Sequence, residues 1–175
     1  IGKITSMARR FAELKVASMS KADFIIVDGT LEATYKGEER YLSKLGSNIS
    51  ALAKSCSLYT TSGNNPLVFL NTLGPPEPWI YQINQQTSFV KLHPLAKHIF
   101  RFEGNLNSLS ALSSNCSDAL FLGYPYGLIF VDKMARVSNQ EKKSLMTRFL
   151  LDKENREILP YLHSLDAHDI LDRIS

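Results

Sequence analysis

Phe24 to Val27 is a short apolar run rich in β-branched residues, and it stops abruptly at Asp28-Gly29. An acid leaving a buried strand is held rigidly at a sheet edge, where ligands bind in open α/β sheets, so Asp28 is a candidate catalytic acid or metal ligand. The same dipeptide also makes an ordinary turn, in which Asp supplies a local hydrogen bond and Gly a positive φ. Glu13 lies on the polar side of the helix preceding this strand. If that helix returns over the strand, its carboxylate stands beside Asp28 and the two can share a divalent metal; otherwise it is a solvated helix glutamate. His168, in Asp166-Ala167-His168-Asp169, is either a metal- or water-orienting imidazole or an exposed residue of a charged helix.

A second set of residues suits nucleic acid. Lys54 is a single charge emerging from the nearly neutral Ala51-Leu52-Ala53-Lys54-Ser55, a phosphate contact or a lysine snorkelling from an edge strand. Tyr124-Pro125-Tyr126-Gly127 makes a tight aromatic turn that either faces a groove or merely starts a helix. In a groove for single strands, Trp79, Tyr81 and Tyr124 would stack bases while Lys54, Lys91 and Arg101 meet phosphates. Lys133, Arg136, Lys142, Lys143 and Arg148 recur along a later helix, but acids among them favour a solvated face. His93 and His98 flank a Pro-containing turn and read as turn residues. Cys56 and Cys116 stand without a partner at metal spacing and read as small buried fillers.

Composition bounds these options. The chain has 175 residues, 44% of them hydrophobic, enough for one domain with a sizeable core. A net charge of +3 excludes a general DNA coater and a disordered charged tail, so any nucleic-acid surface is a local patch. No apolar stretch reaches the roughly 18 residues that span a bilayer, and no secretory pattern is present; a soluble, cytoplasmic protein without membrane contact is expected. The chain opens on Ile1 rather than Met, which suggests further residues upstream. Between 55 and 117 the charged residues are only Glu77, Lys91, Lys97, Arg101 and Glu103, and aromatic and β-branched runs concentrate there. Strands in the middle and helices at both ends describe a mixed α/β sheet with helical cover.

The positioning elements follow from periodicity. Ile1, Ile4, Ala8, Phe11, Leu14 and Ala17 recur at helical spacing and predict a helix ending near Ser20. Strands are expected at Phe24 to Val27 and Ile49 to Ser55, with a helix from Glu38 to Leu45 between them. Asn64 to Pro66 caps a short helix. Trp79 to Ile83 pairs with Ser88 to Leu92 across the Asn84 to Thr87 turn. His98 to Glu103 alternates, which predicts one apolar and one wet face. Leu106 to Leu112 reads as helix, and Tyr126 to Leu151 as one long helix with a break at Ser138, where Ser138 and Glu141 form a capping box. Further helices are expected at Glu154 to Leu162 and at about Asp166 to Ile174.

Taken in order, Val27-Asp28-Gly29-Thr30-Leu31, Leu52-Ala53-Lys54-Ser55, Pro78-Trp79-Ile80-Tyr81, Phe89-Val90-Lys91-Leu92-His93, Phe100-Arg101-Phe102-Glu103, Gly123-Tyr124-Pro125 and Asp166-Ala167-His168-Asp169-Ile170-Leu171 resemble the NurA family of DNA end-processing nucleases. The match is to the latter half to two-thirds of that family's domain. The resemblance implies one NurA-like domain over 1–175, with an RNase H-like mixed sheet flanked by helices. It also implies Mn²⁺ or Mg²⁺ as cofactor, and as partners single-stranded DNA or DNA ends, a HerA-like hexameric ATPase and a second copy in a homodimer. Carried over, Asp28 matches the family's second aspartate, Lys54 its basic residue, Tyr124 its tyrosine and His168 its histidine, and Glu13 loosely its helix glutamate. The family's leading aspartate and first strands have no counterpart from residue 1 onward, so the chain is a fragment or a shortened relative. Two-metal hydrolysis uses several carboxylates. The expectation is therefore a protein of recombinational repair that binds single strands or DNA ends with weak or no cleavage; the alternatives are an active Mn-dependent nuclease and a non-catalytic docking subunit.

Overall fold

The computed structural model describes residues 2–56 and 58–158, in two compact units, Ile1–Phe130 and Val131–Ser175. The first unit carries α1 (Gly2–Met19), β1 (Ile25–Asp28), α2 (Glu39–Leu42), β2 (Ile49–Ala53), α3 (Pro66–Leu73), β3 (Trp79–Gln82), β4 (Thr87–Lys91), β5 (Phe100–Glu103) and α4 (Ser108–Ser114). The helix α5 (Tyr126–Ala135) starts in this unit; the second holds α6 (Asn139–Leu151) and a 3₁₀ turn, Glu154–Ile158. Among the described residues, no helix is long and apolar enough to cross a membrane.

The five strands form one mixed sheet in the order β1-β2-β5-β4-β3. β1 and β2 are parallel, with Val27 opposite Ala51 and Asp28 opposite Leu52. β5 enters antiparallel between β2 and β4, with Ala53 opposite Arg101 and Ala51 opposite Glu103. β3 and β4 form the expected hairpin, Trp79 opposite Lys91. Its turn is built by Asn84, whose Oδ1 accepts from the amides of Gln86 at 2.9 Å and Thr87 at 2.8 Å.

Strand alternation sorts the side chains onto two faces. On one, Val27, Ile49 and Ala51 pack with Ala17 of α1 and the half-buried Ile25, Leu31 and Leu45. On the other, Leu52, Val90, Phe100 and Phe102 pack with Leu109 and Leu112 of α4, Cys116 and the half-buried Leu128 of α5. Full burial of a phenylalanine such as Phe100 or Phe102 is worth about 1.5–3 kcal/mol, so the second face is the stronger apolar anchor. Gly104 (φ +116°) ends β5 where a Cβ would lie 2.7 Å from Ser50 Oγ and 2.9 Å from Ser50 Cα, so only glycine lets the strands cross this closely.

Two expectations need correction, and a third is met. The strand β5 has no wet face: Phe100, Arg101, Phe102 and Glu103 are all buried, because β5 is interior, α4 packs on the phenylalanines, and Leu31 and Glu32 meet the charged pair on the other side. β2 is interior too, so Lys54 does not leave an edge strand. The expected break at Ser138 is present and divides the long helix into α5 and α6. The Ser138 hydroxyl accepts from the Glu141 amide at 3.2 Å and the Glu141 carboxylate accepts from the Ser138 amide at 2.8 Å, the reciprocal cap that starts α6. These Ser138 bonds hold the Glu141 carboxyl below its ordinary range. In the second unit, the Arg156 Nε donates to the Leu150 carbonyl at 3.1 Å and closes the 3₁₀ turn on α6. The rest of the Glu154 to Leu162 helix, and that at Asp166 to Ile174, lie outside the described residues.

One ion pair is buried beneath α1. The Arg10 Nε donates to Glu38 Oε1 at 2.6 Å, and Arg10 Nη2 donates to the Thr30 carbonyl. The fully buried Glu38 carboxylate also accepts from the amides of Thr34 at 2.7 Å and Tyr35 at 3.0 Å. Burial pushes the Glu38 carboxyl up, but the bonds from Arg10, Thr34 and Tyr35 outweigh it and hold the group below its ordinary value of 4.5.

Removing Glu38 takes the acceptor from the half-buried Arg10 guanidinium and from the Thr34 and Tyr35 amides, so Glu38→Ala should lower unfolding free energy by about 3 kcal/mol in urea titration. Because the folded pKa lies below the unfolded one, the stabilisation is present above the ordinary carboxylate value and is lost as pH falls through the folded pKa. The stability gap between wild type and Glu38→Gln should therefore narrow as pH falls from about 5 to about 3, as denaturation midpoints would show.

Candidate functional site

Parallel pairing puts the C-terminal ends of β1 and β2 at the same sheet edge. Asp28 is exposed there, and the next amide, Gly29, donates to the Leu52 carbonyl at 3.0 Å. Gly29 has φ +115°, a left-handed conformation that turns the chain off the sheet directly after the acid. By alternation Asp28, Leu52 and Lys54 fall on the face of Phe100 and Phe102. The Lys54 Nζ lies 4.5 Å from the centroid of the Tyr124 ring, a cation–π contact. That ring packs in turn on Phe100, with centroids 5.6 Å apart and planes tilted by 56°.

Tyr124 is placed by its turn. The Gly123 amide donates to the Cys116 carbonyl at 2.9 Å, Tyr124 to Phe121 at 2.8 Å, and Tyr126 to Asn115 at 2.8 Å, while Pro125 is fully buried. Gly123 (φ +84°) presses against the turn after His93 so closely that a Cβ would fall 2.2 Å from Ala96 Cβ. Cys116 is buried beneath this turn and burial pushes its thiol up to about 11, whereas Cys56 is half-buried.

Other predicted site residues stand elsewhere. Glu13 pairs with Arg9 at 3.3 Å on α1, and α1 covers the face opposite to that of Asp28, so the two carboxylates are not brought together. His168 lies outside the described residues. Among the described residues, no three His, Cys, Asp or Glu side chains stand where they could hold a metal ion, so these residues alone do not fit a divalent metal centre. By register, Trp79, Tyr81, Lys91 and Arg101 share the α1 face rather than that of Lys54 and Tyr124. The Trp79 Nε1 is buried against Gly74, Tyr81 is 55% exposed, and the Lys91 Nζ donates to the Pro76 carbonyl at 2.9 Å.

Arg101 is the sharpest departure from expectation, being 3% exposed and enclosed by carboxylates. It forms an ion pair with Glu32, and its Nε lies 2.7 Å from Glu103 Oε1, with the N–H not directed at the oxygen. Burial works against its charge, but Glu32 and Glu103 hold it protonated. The other Glu103 oxygen accepts from the Leu31 amide at 2.8 Å. Glu32, Glu38 and Glu103 were not among the sequence candidates. The i, i+2 spacing of Arg101 and Glu103 between phenylalanines carries the one available signal, since it puts opposite charges on a single strand face. Nothing local marks Glu38, whose partner Arg10 is 28 residues away.

Gly123→Ala should cost about 1–3 kcal/mol in urea titration and draw Tyr124 off Lys54, since strain and overlap act together. Cys116 should stay unmodified by iodoacetamide at pH 8 in the native protein and react once it unfolds, as mass spectrometry of digests would report.

No family model and no curated protein matches the sequence. Among solved structures, the chain is similar to the NurA nuclease from Sulfolobus solfataricus, with a TM-score of 0.51 and 15% sequence identity, over 81% of this chain and 64% of that one. The chain thus spans somewhat less than two thirds of that protein's length. At this identity the likeness is one of fold: a mixed five-stranded sheet flanked by helices, arranged as in a NurA-like nuclease.

Proposed function

We propose that this chain is a NurA-like DNA-processing protein that binds single-stranded DNA or DNA ends, and that its described residues support binding rather than rapid cleavage. One observation carries the reading: on a NurA-like sheet, Asp28, Lys54 and Tyr124 share one edge and one face, with the lysine held over the aromatic ring. An ammonium beside an aromatic surface is the pairing that contacts a phosphate and an adjoining base in single strands. The exposed Asp28 carboxylate can accept a hydrogen bond from a base or sugar at the same edge. Cleavage is the weaker claim, because two-metal hydrolysis needs several convergent carboxylates and Glu13 is turned away from Asp28.

Binding of a fluorescent oligothymidylate should be measurable by anisotropy and should weaken as KCl rises, with a slope of about −0.7 per phosphate contacted. Lys54→Gln should weaken it about five-fold and make that slope shallower. Tighter binding to blunt duplex, or a flat salt dependence, would count against the reading. Incubation of this chain with labelled single strands and Mn²⁺ should give slow cleavage or none. Robust cleavage that disappears in Asp28→Asn would favour the active-nuclease alternative.

A further inference from the structure

The segment after Asp28 is tied down from within at five points. Thr30 gives its carbonyl to Arg10, Leu31 its amide to Glu103, Glu32 its carboxylate to Arg101, and Thr34 and Tyr35 their amides to Glu38. The anchoring side chains come from α1, β5 and the start of α2, and Arg101, Glu103 and Glu38 are all at least nine-tenths buried. With these backbone groups engaged inward, the segment, which begins two residues after the exposed Asp28, turns Ala33, Thr34 and Lys36 outward. Arg101 stands opposite Ala53, the residue before Lys54, yet belongs to the other face of the sheet. It cannot reach a bound strand from a position 3% exposed, but it reaches the segment.

We infer that Arg101 serves the DNA site as a positioning residue: through Glu32 and Glu103 it fixes the Thr30–Tyr35 segment that follows directly on Asp28-Gly29, and so holds that acid at the sheet edge it shares with Lys54. The inference rests on the DNA-binding reading above. A guanidinium is required because one planar group must face two carboxylates at once, which an ammonium does less well.

Glu32 allows a test that leaves the core intact, since its side chain is 65% exposed. Were Glu32 merely a negative charge near DNA, Glu32→Gln would strengthen binding. As part of the clamp, Glu32→Gln should instead weaken oligothymidylate binding about five-fold with no change in salt slope, because no phosphate contact is removed. Glu32→Asp, which keeps the charge, should recover part of the loss. In parallel, hydrogen exchange at the Leu31 amide should quicken in Glu32→Gln, while the melting temperature stays near that of the wild type. Stronger binding, or unchanged exchange at Leu31, would overturn the positioning role. Failure of the wild-type chain to bind any single strand would overturn the DNA reading, and would do so whatever the exchange data show of the clamp.

Discussion

The parallel pairing of β1 with β2 is the constraint on which the rest of the molecule depends. It is a non-local contact, made across the Gly29 to Asn48 connection, and it brings two strand ends to one edge. An antiparallel pairing would send Asp28 and Lys54 to opposite ends of the sheet. Register matters as much as direction: a shift by one residue would put Asp28 among Val27's present neighbours beneath α1 and expose Val27 in its place. The apolar cluster around Val27, Ile49 and Ala51 penalises that shift, so packing on one face fixes the chemistry of the other.

The two faces solve the problem of charge in different ways. On the face of Phe100 and Phe102 the interior is apolar, and Lys54 meets the ring of Tyr124 at its margin. On the α1 face, Arg101 is buried with Glu103, and the half-buried Arg10 reaches the buried Glu38. Such pairs contribute little net stability, because desolvation offsets most of their attraction, but breaking one is severe. They act as a requirement on geometry more than as a source of folding energy: the amides of Leu31, Thr34 and Tyr35 are held by the buried carboxylates of Glu103 and Glu38.

Legibility in the sequence follows the same division. Strand ends, the β3–β4 hairpin and the Ser138 cap were readable because their causes are local: Asp28-Gly29 after an apolar run, Asn84 in a tight turn, Ser138 three residues before Glu141. The meeting of Asp28, Lys54 and Tyr124 at one sheet edge comes from strand pairing and a ring contact between residues far apart in the chain, which no local pattern displays. Arg101 was misread as a phosphate contact because alternation reveals which residues share a face but not whether that face is wet. The burial of β5 depends on strands to either side and on the segment carrying Leu31 and Glu32, about seventy residues earlier in the chain. Glu13 was drawn toward Asp28 for a related reason: helical periodicity identifies the inward stripe of Leu14 and Ala17, yet cannot say which side of the sheet the helix will cover.

The strand order has a consequence for synthesis. β1 and β2 leave the ribosome first and the β3–β4 hairpin next, but β5, made last, is the strand that lies between them. Until residue 103 has emerged, β1–β2 and β3–β4 lack the strand that joins them in the finished sheet, and neither pair has Arg101 or Glu103 beside it. In the finished sheet the same strand pairs with both β2 and β4, buries Phe100 and Phe102, and carries the partners of Glu32 and Leu31. A nascent or truncated chain stopping short of β5 therefore lacks the tether at the site together with the completed sheet, and it exposes unpaired backbone of the kind that draws chaperones or aggregates.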